Sequence, residues 1–203
     1  MVKRWALLAF VVVLVGLYVV FTQPREVTES FAPLFGSGPL TELQQFGDQN
    51  KDNFIKYQDP YYRFSLFYPK GYLAEQNAQP GVYLQFTAAT FDDVEVISVV
   101  PLEGESYGDA EFEQDAPEGV TLQERRRLTL EGRTVYVLDS TSQPLAGSNY
   151  TVFIKQAVVP NCQSANGTRY SLFFTAAVPE RLQADLLATE YMVHSLRCTG
   201  VEN

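Results

Sequence analysis

An α+β fold, with an antiparallel β-sheet flanked by helices and one transmembrane helix ahead of it, is predicted by three features of the 203-residue sequence. A long apolar run opens the chain. Segments after residue 53 then alternate apolar and polar residues with the period of a strand, and the last segment changes to helical spacing. Strands followed by a helix that lies across one face make an α+β layer architecture.

Lys3 and Arg4 precede 17 uninterrupted apolar residues, Trp5 to Phe21, and Thr22, Gln23 and Pro24 follow. At a rise of ~1.5 Å per residue the run is ~25 Å long as a helix, and Trp5 and Tyr18 extend it into the interfaces. It is long enough to span a membrane. The basic pair before the run, against Arg25, Glu26 and Glu29 after it, puts the N-terminus in the cytoplasm and the chain beyond residue 24 outside. A cleaved signal peptide shares the basic and apolar regions and is the alternative. Leu17, Tyr18, Val19, Val20 and Phe21 are too bulky for an A-x-A cleavage site, which favours an uncleaved anchor. The expectation is a single-pass protein of the cell membrane. Its signal-anchor covers 1–24, an extracytoplasmic linker containing Pro33, Gly36, Gly38 and Pro39 covers 25–52, and an extracytoplasmic domain covers 53–203.

Beyond the anchor, 13 Lys and Arg stand against 24 Asp and Glu. Such a domain repels polyphosphate, so no nucleic-acid partner is expected. Cys162 and Cys198 are too few for a structural metal site and lack the C-x-x-C spacing of a redox motif. Outside the cytoplasm they are expected to pair, the alternative being two buried free thiols. Nine residues of strand run ~30 Å one way and eighteen of helix return ~27 Å, which brings both cysteines to one end of the domain.

Phe64, Leu66 and Tyr68 alternate with Arg63, Ser65 and Phe67, and Val82, Leu84 and Phe86 alternate with Tyr83, Gln85 and Thr87. Val94 to Val100 is nearly continuously apolar, as in a central strand covered on both faces. Glu103 to Val120 carries seven acids and no bases, with Gly104, Gly108, Pro117 and Gly119, and reads as a surface excursion with one helical turn near Asp109 to Gln114. Glu131-Gly132 then predicts a two-residue hairpin turn that pairs Leu130 with Arg133, Leu128 with Val135 and Arg126 with Val137. Arg125 and Arg127 fall on the face opposite the core and read as solvated. Arg126 falls in core register and calls for an edge position or a bulge. Tyr150 to Val158 and Arg169 to Ala177 read as a further hairpin. Pro179 to Leu196 reads as a helix, with Leu182, Leu186, Met192 or Val193, and Leu196 in a stripe opposite Arg181, Asp185 and Glu190.

The segment Phe64-Ser65-Leu66-Phe67-Tyr68-Pro69-Lys70-Gly71-Tyr72 resembles the F-x-[IVL]-x-Y-P-x-G-[WY] opening of the PsbP-like family, named for an extrinsic subunit of the photosystem II oxygen-evolving complex. The order of elements is similar across roughly residues 53 to 197. The resemblance implies a PsbP-like α/β/α sandwich that serves as a non-catalytic binding or assembly module on an extracytoplasmic face, with no catalytic residues. The anchor, the acidic excursion and the cysteine pair depart from the photosystem subunit, so a photosynthetic role does not carry over.

His194 is the only histidine, and its neighbour Ser195 points about 100° away on a helix, so the two cannot form a nucleophile–base pair. Asp48, Asn50, Asp52 and Asp59 match positions 1, 3, 5 and 12 of a calcium loop. Asn53 replaces the glycine of position 6, Asp59 is shorter than the usual Glu, and the bland reading is a polar linker entering the first strand. Asn149 and Asn166 begin glycosylation sequons. The expected function is a membrane-anchored extracytoplasmic module that binds or assembles with another envelope or extracellular protein. It has no catalytic residues, no cofactor and no metal. The alternative is a calcium-dependent or hydrolytic ectodomain that uses the acidic residues. The acids between Glu103 and Glu118, Glu111, Glu113 and Asp115 among them, would attract a basic partner or simply keep a solvated loop soluble.

Overall fold

The structure is a computed structural model that describes residues 40–89, 94–104, 107–114, 116, 119–142, 151–179 and 186–198. The expected anchor at 1–24, the linker up to residue 39, the Asn149 sequon and residues 180–185 of the expected helix lie outside them. Among the described residues no helix is long and apolar enough to cross a membrane.

The stretch assigned to the linker contains a helix, α1 (Leu40–Asn50), followed by a 3-10 turn (Lys51–Asn53) that feeds strand β1 (Phe54–Gln58). Phe46 stacks edge-on against Phe54 and Tyr191, which holds α1 to the rest of the fold. Gly47 permits the approach: a Cβ there would lie 2.5 Å from Tyr191 Cε2.

Two sheets form, where the sequence suggested one. β1, β2 (Phe64–Pro69) and the two-residue β10 (Arg197–Cys198) make a small antiparallel sheet in the order β1-β2-β10. The other strands are β3 (Leu73–Gln79), β4 (Val82–Ala89), β5 (Val94–Glu103), β6 (Val120–Leu130), β7 (Arg133–Ser142), β8 (Val152–Gln163) and β9 (Arg169–Pro179). They form a seven-stranded sheet in the order β3-β4-β5-β9-β8-β7-β6. Alternation marks a strand without saying which sheet receives it. β3, mostly exposed and polar, gives no apolar alternation to read.

Glu131 and Gly132 both take positive φ, 51° and 77°, and the hairpin pairs Leu130 with Arg133, Leu128 with Val135 and Arg126 with Val137. This is the mirror-image turn whose twist matches that of the strands. β6 is the edge strand, and its register shifts between Leu122 and Glu124, so Arg126 has both an edge position and a bulge nearby.

The last helix, α3, is described over Leu186–His194. Pro179, expected near its start, instead ends β9 opposite Val152, and Arg197–Cys198 leaves the helix to pair with Ser65 and Phe64. One face of the large sheet is covered by the small sheet and α3. Phe64 and Leu66, Leu84, Phe86, Ile97, Val99, Phe174 and Val137, and Met192, Val193 and Leu196 of the α3 segment share this core. Each large apolar side chain so enclosed contributes roughly 1.5–3 kcal/mol.

The opposite face carries Tyr136, Leu138, Val158 and Phe173, and the acidic excursion covers them with α2 (Asp109–Phe112) by inserting Phe112. Arg125 and Arg127, read from sequence as solvated, fasten that cover. Arg125 donates to the carbonyls of Phe112 and Gln114 at 3.1 and 2.7 Å. Arg127 pairs with Asp109 and Glu113 and lies 4.7 Å from the centre of the Phe112 ring. Two of the acids offered to a basic partner are thus engaged within the fold, because Glu111 accepts from the Gly108 N–H and Glu113 holds Arg127. Asp115 lies outside the described residues.

Candidate functional site

α3 is fastened to the large sheet through two consecutive residues. Thr189 Oγ1 donates to Glu95 at 3.2 Å, and Glu95, fully buried on β5, also accepts from the Tyr72 hydroxyl. Tyr72 closes the Phe64–Tyr72 motif, so that motif has a packing role here. Glu190 turns the other way, towards β6, β7 and β8.

Arg126 donates to Glu190 at 2.8 Å and to Asp139 at 2.7 Å, and Lys155 joins the same two carboxylates, with Nζ 2.6 Å from Glu190 Oε2. Register explains the grouping: Glu124 pairs with Asp139 and Asp139 with Lys155 in one row, and Arg126 lies two residues along β6. Arg126, in core register, has a carboxylate on each side. Burial alone would raise the Glu190 carboxyl. The hydrogen bonds from His194 and Arg126, with the charges of Lys155 and Arg126, outweigh that and hold it well below the usual carboxylate range. Helical spacing puts Glu190 opposite the apolar stripe, on the side that reads as solvated. The charge pattern of one helix cannot show that strands beneath it supply two cations.

His194 Nε2 lies 3.1 Å from Glu190 Oε1. Ser195 Oγ donates to the Met192 carbonyl at 2.7 Å and accepts from the Phe67 N–H at 2.8 Å. The two side chains therefore serve separate structural bonds, in keeping with their divergent directions along the chain.

The calcium-loop alternative fails on geometry. β1 runs extended between Asp52 and Asp59, which at ~3.4 Å per residue separates them by roughly 20 Å. Asp59 is buried and accepts from the Tyr61 and Tyr62 N–H groups and from the Tyr57 and Tyr83 hydroxyls, so its lone pairs are taken. Asn166 is exposed in a turn, where its side-chain oxygen accepts from the Thr168 N–H.

Cys162 on β8 and Cys198 on β10 lie with Cα atoms 5.7 Å apart, bonded through sulfur. The bond ties the small sheet to the large one. Beside it runs a trough of two clefts. One, of about 510 Å³, lies among Leu43, Lys56, Phe67, Leu130, Tyr191 and His194, and the other, of about 460 Å³, among Gln58, Pro60, Arg63 and Cys198. Ser65, Glu131 and Arg197 line both. Arg197 Nε pairs with Glu131 at 2.7 Å, and its Nη1 donates to the His194 and Leu196 carbonyls at 2.7 and 2.8 Å. That closes the C-terminus of α3. Sequence reasoning did not find this trough. Its residues come from separate parts of the chain, so no local pattern announces it.

No family model matches the chain, and no curated protein sequence matches it. Solved structures do. The chain is similar to the cyanobacterial PsbP (CyanoP) of Synechocystis sp. PCC 6803, with a TM-score of 0.52 and 18% identity over 72% of this chain and 92% of that one. It is also similar to LpqN, described as involved in cell envelope biogenesis of Mycobacterium tuberculosis, with a TM-score of 0.50 and 18% identity over 75% of this chain and 96% of that one. The fold is PsbP-like: antiparallel sheets with a few helices.

Proposed function

We propose that the chain is a membrane-anchored, extracytoplasmic module that binds or assembles with another envelope or extracellular protein without catalysing a reaction. The observation that carries this reading is the PsbP-like fold itself, shared with a protein described as acting in cell envelope biogenesis. The basic-apolar start of the sequence supports a single-pass anchor with the N-terminus in the cytoplasm. His194, Ser195 and Asp59, the side chains that invited a chemical role, are occupied by bonds that hold the fold. Presenting a surface at the end of a tether needs none of them.

The test is recovery of the full-length chain from native membranes after mild cross-linking, with N-terminal sequencing of the recovered chain. A mature N-terminus near Met1 and a reproducible extracytoplasmic protein partner are expected. A chain that begins at or beyond Thr22 would remove the anchor, and turnover of a substrate by the purified protein would remove the non-catalytic reading.

A further inference from the structure

We infer that the trough beside α3 takes an extended acidic peptide segment of the partner, with two carboxylates flanking one large apolar side chain; this rests on the binding-module reading above. The pattern comes from the outer face of the small sheet. Lys56 on β1 stands opposite Phe67 on β2, and Arg197 on β10 stands opposite Ser65. Ser65 and Phe67 are two residues apart on one strand, so all four side chains share a face. Phe67 is 36% exposed, large and apolar, and it sits between the two cations with Tyr191 6.4 Å away, ring centre to ring centre.

Strand spacing places the Lys56 and Arg197 Cα atoms two strands and two residues apart, about 12 Å. An extended peptide repeats a face every second residue, so residues i and i+4 lie about 13 Å apart with i+2 between them on the same side. Acids at i and i+4 would reach Lys56 and Arg197, and an apolar residue at i+2 would cover Phe67. Lys56 is exposed and has no ion-pair partner among the described residues. Arg197 already has Glu131, whose side chain is largely exposed at the hairpin tip and can yield to or share with an incoming carboxylate. An anionic lipid surface is the poorer fit, because the site is a concave cleft that a single extended segment can enter and a bilayer surface cannot follow.

The test uses the full-length protein in zwitterionic detergent and a dye-labelled synthetic peptide of the pattern Glu-Ser-Leu-Ser-Glu, read by fluorescence anisotropy. Saturable binding is expected, weakened about tenfold or more by Lys56→Glu and by replacing both peptide acids with Lys. Lys56 is exposed, so the variant should melt with the wild type, and Phe67→Ser provides a second variant aimed at the apolar contact. Equal binding of the acidic and basic peptides overturns the inference. So does indifference to both substitutions, preference for phosphatidylglycerol vesicles over the peptide, or a self-association that Lys56→Glu abolishes. Recovery of the native partner with the Lys56→Glu chain would defeat the trough while leaving the module reading in place.

Discussion

Glu190 of the last helix meets Arg126 of the edge strand at 2.8 Å, the two side chains being mostly buried, and this pair helps fasten α3 to the sheet. Removing the carboxylate leaves Arg126 and Lys155 to share Asp139, with Glu124 Oε2 3.5 Å from Arg126 Nε. Glu190→Leu is expected to destabilise the protein by roughly 3–5 kcal/mol, because it strands buried positive charge. Urea unfolding of the variant checks this. A change under about 1 kcal/mol would place the network at the margin of stability.

The same carboxylate contributes to the acid limb of stability. Its folded pKa is depressed, so its stabilisation is fully present above the unfolded value of about 4.3 and is lost progressively as pH falls below it. At the alkaline end, burial in the Phe112 cluster and then the charge of Glu111 push the Tyr107 phenol up to about 12. Stability associated with Tyr107 is therefore present below pH about 10 and lost as pH rises towards 12. Melting temperatures across pH should fall at both ends. Glu190→Gln should flatten only the acid limb and Tyr107→Phe only the alkaline one.

The disulfide closes a loop with a sequence separation of 36. By the chain-entropy model that closure contributes about 3.8 kcal/mol. Reduction, or Cys198→Ala, should lower the melting temperature while far-ultraviolet circular dichroism at low temperature stays unchanged. Mass spectrometry that finds both cysteines alkylated in the native, unreduced protein would contradict the pairing.

Gly47 of α1 faces the Tyr191 ring, where a Cβ would lie 2.5 Å from Cε2. Gly47→Ala forces the Tyr191 ring to move, with an overpacking penalty of about 1–3 kcal/mol confined to this contact. Hydrogen exchange should quicken across residues 40–50 and leave the large sheet unchanged. Uniform protection in the variant would show that the ring moves aside freely.

Much of the sheet was legible because alternation and turn chemistry are local. Phe64 to Tyr68 announces β2, and Glu131-Gly132 dictates both the turn and the register of Arg126 against Val137. What escaped is settled by distant chain segments. Gly and polar residues in 40–50 hide a helix that Phe46 holds against Phe54 and Tyr191. Arg125 and Arg127 read as wet until the excursion folds back over Phe112, and Glu190 reads as solvated until Arg126 and Lys155 arrive from two strands. The trough is of the same kind, since Lys56 and Arg197 are far apart in sequence and become neighbours only when β10 joins β2.

The central claim is that this domain works by holding another protein outside the membrane. A photo-reactive phenylalanine analogue at position 67 of the full-length chain, irradiated in intact cells, tests it most directly. The account predicts a light-dependent adduct in the membrane fraction that contains a single extracytoplasmic protein, joined through a peptide with acids on both sides of the contact. Adducts only with cytoplasmic proteins, or none above the unsubstituted chain, would contradict it.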